Sequence, residues 1–170
     1  MAMDSKKMRS SINGLKQDQK AIKQKTDSIR GTGENLAMDK EELDNARRFI
    51  ESMDMPSGEK ARVIGRLDQQ QRVLGKTFER DVDKPSEEED KKLDALSREA
   101  QDYSDAARNN REKLDGFRRQ SNMDDSMIKN AAREQEKYSM DYQAERQSIE
   151  QERQEQKQAI GGLKRRATMG

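Results

Sequence analysis

Apolar side chains recur at every seventh position along the first fifty residues of this chain: Met8, Leu15, Ile22, Ile29, Leu36, Leu43 and Ile50. That interval is close to two turns of a 3.6-residue helix and foreign to the two-residue period of a strand, so it puts all seven side chains on one helical face. The complementary seam positions, three residues further on, are not uniform. Ser11, Asp18 and Lys25 leave only half a seam over the first block, about 4–30, whereas Ala46 and Met53 complete an a/d stripe over 34–54. Gly31 and Gly33 separate the two blocks without disturbing the phase. One continuous helix is therefore permitted, although two glycines at about 1 kcal/mol each favour a break or hinge.

Proline marks the other boundaries, because it cannot continue a regular helix from within. It occurs only at Pro56 and Pro85. Met55-Pro56-Ser57 reads as a stop followed by an N-cap at Ser57, and Val63, Ile64, Leu67, Leu74 and Phe78 then recur at helical spacing. So short a connection returns the chain antiparallel, which predicts a hairpin of 34–54 with 57–82. At Lys84-Pro85 a second turn is expected, with Ser86 and Glu89 forming a capping box for the next helix. That helix carries Leu93, Leu96, Ala100, Tyr103, Ala107, Asn110, Leu114 and Phe117 in alternating steps of three and four. Asn110 is the one polar intruder, either fixing register from within the seam or solvated. After the cap-rich run 121–126, a last block places Ile128, Ala131, Gln135, Tyr138, Tyr142, Glu145, Ile149, Glu152, Gln156, Ala159 and Leu163 in phase. The polar residues in that stripe make a thin core, and the Gln- and Glu-rich stretch 146–158 is a marginal helix on its own.

Only 23 of the 170 residues are Leu, Ile, Val or Phe, about one in seven and below the roughly 20% at which a chain buries enough apolar area for a thick globule. Charged residues reach 41%, yet 35 Lys and Arg offset 34 Asp and Glu, so the net repulsion that expands disordered tails is missing. Good helix formers dominate, and β-branched and aromatic residues are scarce. The expected fold is all-α: an elongated helical bundle or coiled coil of four to five helices with a thin core. The expected segments are 1–33, an amphipathic helix; 34–119, a hairpin and long helix forming a self-sufficient core; and 120–170, a long polar helix with a basic tail.

Charge balance argues against nucleic acid, whose binders concentrate a basic excess on one face or tail. No run of about 18 apolar residues is present for a membrane span, and the start of the chain lacks the apolar stretch of a secretory signal. A cytoplasmic location is expected, with a signal-independent export route left open. The absence of Cys and His removes the thiol nucleophile, the commonest general base and the usual transition-metal ligands. Gly75-Lys76-Thr77 resembles the end of a phosphate loop but lacks the first glycine and the preceding strand. Asp81 and Asp83 open a calcium-like loop, but Ser86 stands where the turn needs glycine and Lys92 where a carboxylate must close it. No cofactor, metal or small-molecule substrate is expected. The basic clusters Lys6-Lys7-Arg9 and Lys164-Arg165-Arg166 read as frayed ends.

Heptad patterning supplies recognition of helix by helix. The expected function is therefore a non-enzymatic scaffold or structural subunit whose seams take a protein partner or a second copy. Alternatives are a helical substrate, chaperone or stalk of a bacterial secretion or delivery system, and an enzyme. The Trp-x-Gly turn and Tyr-x-x-x-Asp/Glu tail of type VII helical-hairpin substrates are missing: the chain has no Trp, and Tyr103, Tyr138 and Tyr142 are followed four residues on by Ala107, Tyr142 and Arg146. The half-seams of the two end blocks are the expected partner-binding residues: Met8, Leu15, Ile22, Ile29, Ile128, Tyr138, Tyr142 and Ile149.

Overall fold

A computed structural model describes residues 5–121 and 126–169. These residues form four α-helices, α1 (Ser5–Ser52), α2 (Ser57–Phe78), α3 (Lys84–Ser121) and α4 (Ser126–Thr168), with a π-helical turn at Glu79–Asp83 joining α2 to α3. Among the described residues there is no strand, and only 53–56 and Met169 lie outside helices. The described residues are all-α, in three continuous helical stretches rather than the expected four to five helices.

Neither the glycines that favour a break in α1 nor the turn expected at Pro85 interrupts the helix. α1 passes through Gly31 and Gly33 unbroken. A Cβ at Gly33 would meet Leu163 Cδ1 of α4 at 2.9 Å, while one at Gly31 would meet nothing. Gly33 thus lets two helices approach closely, and tertiary packing outweighs its propensity cost. At Pro85 the helix also continues. The buried face of this stretch advances Leu74, Phe78, Val82, Ser86, three steps of four residues, which in a pure α-helix would drift by about 120°. The wider π turn, with the Lys84 N–H donating to the Glu79 carbonyl five residues back, takes up most of that drift and keeps Phe78, Val82 and Ser86 on one side. It also places Asp81 in the displaced turn, where its carbonyl would otherwise collide with the Pro85 ring. Ser86 and Glu89 are therefore buried mid-helix residues and not a capping box.

The turn after α1 forms as expected, with one shift: Pro56, not Ser57, is the N-cap of α2. Its carbonyl accepts from the N–H groups of Glu59 and Lys60 at 3.1 and 3.0 Å. The hairpin of α1 with α2 is closed by an Arg47–Asp68 ion pair and by Lys60 Nζ donating to the Glu51 carbonyl at 3.0 Å.

The chain forms two compact units. The first takes 5–22 of α1, 91–121 of α3 and 126–153 of α4. Its core joins Met8, Ile12, Leu15 and Ile22 to Leu93, Leu96, Ala100, Ala107, Tyr138, Tyr142 and Ile149, with Tyr103 packed against it. Polar ties run through the same interface. Ser104 Oγ donates to the Ser139 carbonyl at 3.0 Å, the Tyr142 hydroxyl donates to the Met8 carbonyl at 3.1 Å, and Asn110 donates to Gln135 at 3.2 Å. Arg153 bonds Asp94 at 3.0 Å and, with Ile149 fully buried, anchors the stretch expected to be marginal. The seam ends before its expected limit: Leu114 is half-buried and Phe117 is 58% exposed, because among the described residues α1 begins at the level of Tyr142 and only α3 and α4 run on from there.

The second unit takes 23–90 with 154–169. Its core is Ile29, Ala37, Leu74, Phe78, Val82, Ile160, Leu163 and Ala167, with Leu36 and Leu43 packed against it. Ion pairs of Lys25 with Glu89, Lys157 with Asp90, Lys164 with Asp83 and Arg166 with Glu34 border it. The basic tail is consequently helical and paired, where frayed ends were expected. Asp83 holds the Lys164 ammonium above its ordinary range through a direct hydrogen bond.

Candidate functional site

The expected partner-binding residues lie inside the fold. Met8, Leu15, Ile22, Tyr138, Tyr142 and Ile149 meet in the core of the first unit and Ile29 in that of the second, none more than 8% exposed. Ile128 is half-buried near the start of α4. The two half-seams expected to wait for another chain are occupied from within this one. Gly75-Lys76-Thr77 sits inside α2, where the Thr77 hydroxyl donates to the Val73 carbonyl at 2.9 Å. Among the described residues no three carboxylates are grouped to hold a metal ion, and no helix is long and apolar enough to cross a membrane.

Among the described residues two stretches hold no buried side chain: 108–131, where the ends of α3 and α4 frame a charged depression, and the hairpin. Between Lys40 of α1 and Leu74 of α2 no residue is buried: Leu43, Ala46, Ile50, Val63, Ile64 and Leu67 are all only partly covered. The cause is the number of helices. Two helices can shield only the line where they touch, and each retains an apolar flank that a third or fourth helix must cover. On one side that flank forms a groove of about 890 Å³, floored by Leu36, Leu43, Ala46, Leu67, Val73 and Leu74 and rimmed by Asp39, Glu42 and Arg66. Val73 is 57% exposed, and Phe49 and Met53, 64% and 37% exposed, continue the α1 side of the stripe at helical spacing. Asp39, Glu42 and Arg66 make no ion pair among the described residues.

The other side of the hairpin is polar. Lys40, Asp44, Arg47, Arg48, Asp68, Arg72 and Thr168 line a depression of about 720 Å³. Its deepest charge is already neutralised, since Lys40, 1% exposed, donates to Asp44 at 2.6 Å. The two flanks of one hairpin thus differ in kind, and only the apolar one loses solvent contact favourably when covered.

A second irregularity lies in the first unit. Glu145 occupies a seam position on α4 at 6% exposure, and its Oε1 has no hydrogen-bond partner. Desolvation raises the Glu145 carboxyl above its ordinary range; Lys16 opposes the shift and Glu152 adds to it. Gln19 of α1 satisfies one Glu152 oxygen at 2.8 Å and donates to Ser148 at 3.2 Å. These groups form a polar layer in the bundle.

Comparison with family models, with curated proteins and with solved structures finds no match. The heptad stripes do not single out the hairpin groove. Its signal in the sequence is Phe49 and Val73, apolar residues that stand outside the a/d stripe of their helices and so widen the apolar face beyond what one neighbour covers.

Proposed function

We propose that this chain is a non-enzymatic helical assembly protein that holds another protein surface through the open flank of its α1–α2 hairpin. The supporting observation is the run between Lys40 and Leu74 without one buried residue, which leaves an apolar groove with a charged rim open on one flank. An exposed apolar groove with a charged rim is the usual form of a helix-binding surface: apolar side chains supply the driving force and rim charges select the partner. The absence of His and Cys fits the same reading.

The test is site-specific photo-crosslinking in cells that make the protein, with a photoreactive amino acid at Val73 and a control at Ala144, an exposed position on α4. A discrete protein adduct, identified by mass spectrometry, is expected from position 73 and not from 144. Failure to form any adduct at 73 refutes the reading.

A further inference from the structure

We infer that the occupant of the hairpin groove is the same groove of a second copy of this chain, the two hairpins closing into an antiparallel four-helix bundle. The inference rests on the interaction surface proposed above and goes beyond it by assigning the partner and the pairing.

Charge carries the assignment. The α1 arm of the hairpin, 34–52, has six acidic and three basic residues, net −3, while α2, 57–78, has two acidic and five basic residues, net +3. At the rim itself the signs are divided the same way, with Asp39 and Glu42 on α1 and Arg66 on α2. A surface with an acidic edge and a basic edge is complementary to its own copy turned by a two-fold rotation. With the axis parallel to the helices, α1 of each copy lies antiparallel to the partner's α2, so that Glu42 comes within reach of the partner's Arg66. An axis perpendicular to the helices would set α1 against α1 and α2 against α2, placing like charge on like. The axis parallel to the helices is therefore selected.

The size of the face agrees with this occupant. The arm from Leu36 to Ser52 is about 25 Å long, and two helices side by side are about 20 Å wide, a footprint on the order of 500 Å² per copy. That places the pair near the lower bound of specific interfaces, where association is reversible. Four helices also give Leu43, Ala46, Ile50 and Leu67 the third and fourth neighbours that a hairpin lacks.

The experiment is sedimentation velocity on the full chain from about 1 to 100 μM, with three variants. The wild type should shift from monomer to dimer across that range. Val73→Glu should stay monomeric with unchanged helix content, since the residue is 57% exposed. Glu42→Arg and Arg66→Glu should each weaken self-association about tenfold, because each turns two attractive contacts per dimer into repulsive ones. An equimolar mixture of those two variants should regain the wild-type dimer. In the mixed pair the two substituted side chains attract across one contact, and the native Glu42 of one chain meets the native Arg66 of the other across the second. A wild type that is monomeric throughout, or a dimer that survives Val73→Glu, overturns the inference. So does a mixture that fails to recover. If the wild type is monomeric while position 73 still crosslinks to a different protein, the second-copy inference falls and the interaction reading stands.

Discussion

The rings of Tyr103 on α3 and Tyr142 on α4 stack with centroids 5.1 Å apart and planes 23° from parallel, and the Tyr142 hydroxyl crosses from that stack to the Met8 carbonyl on α1. One side chain therefore engages all three helices of the first unit. Tyr142→Ala should destabilise that unit by roughly 3–5 kcal/mol, the range for emptying a buried aromatic site. Tyr142→Phe, which keeps the stack and removes the hydrogen bond, should cost about 1 kcal/mol. Urea melts followed by circular dichroism measure both; equal losses would mean that the hydrogen bond, not the ring, holds the helices.

The two glycines of α1 should respond oppositely to alanine. Gly31→Ala adds a methyl group to open space and gains helix propensity, so it should stabilise by about 0.5–1 kcal/mol. Gly33→Ala gains the same propensity but drives its Cβ against Leu163 Cδ1, and should be neutral or destabilising. Thermal melts of the pair decide the point, and a larger gain at 33 than at 31 would contradict the close approach.

Glu145 gives a pH dependence with a definite sign. Its folded carboxyl titrates above its unfolded value because burial disfavours the charge. The folded state thus binds the proton more tightly, and the associated stability is fully present below the unfolded value and is lost as pH rises through the folded one. Glu145→Gln removes that loss. It should raise the melting temperature at pH 7 by about 3 °C, for a gain near 1 kcal/mol, and should bring no gain at pH 3.5. A uniform shift at both pH values would assign the effect to packing.

Truncations along α3 should follow burial and not position in the stripe. Leu93, fully buried, should cost about 2–5 kcal/mol on replacement by Ala, whereas Phe117→Ala, despite the larger side chain, should cost under about 1 kcal/mol because the ring is mostly solvated. Denaturant midpoints for the two variants test this ordering.

Helical class, the turn near Pro56 and the pairing of 34–54 with 57–82 were legible because period and proline act locally. The turn foreseen at Pro85 is absent and the choice left open at Gly31–Gly33 falls to a continuous helix, both for tertiary reasons: Leu163 lies far along the chain from the glycines, and the step-of-four face from Leu74 to Ser86 requires knowing which side is buried. The burial of the residues expected to bind a partner was hidden for the same reason. Met8, Leu15 and Ile22 look like an unfinished seam until Tyr138, Tyr142 and Ile149, more than a hundred residues away, are set against them. Heptad phase says which face of a helix is apolar and nothing about which other face covers it.

The distance along the chain between Met8 and Tyr142 has a consequence for how the protein is made. The first stretch of α1 leaves the ribosome with its apolar stripe formed and its cover unsynthesised, and at 5–20 residues per second Tyr142 follows roughly ten seconds later. The hairpin of α1 with α2 can form within that interval, since its contacts are local. The first unit cannot, because two of its three helices arrive last, so the order of assembly on the ribosome runs from the middle of the chain outward, and the amino-terminal stretch waits for its partners.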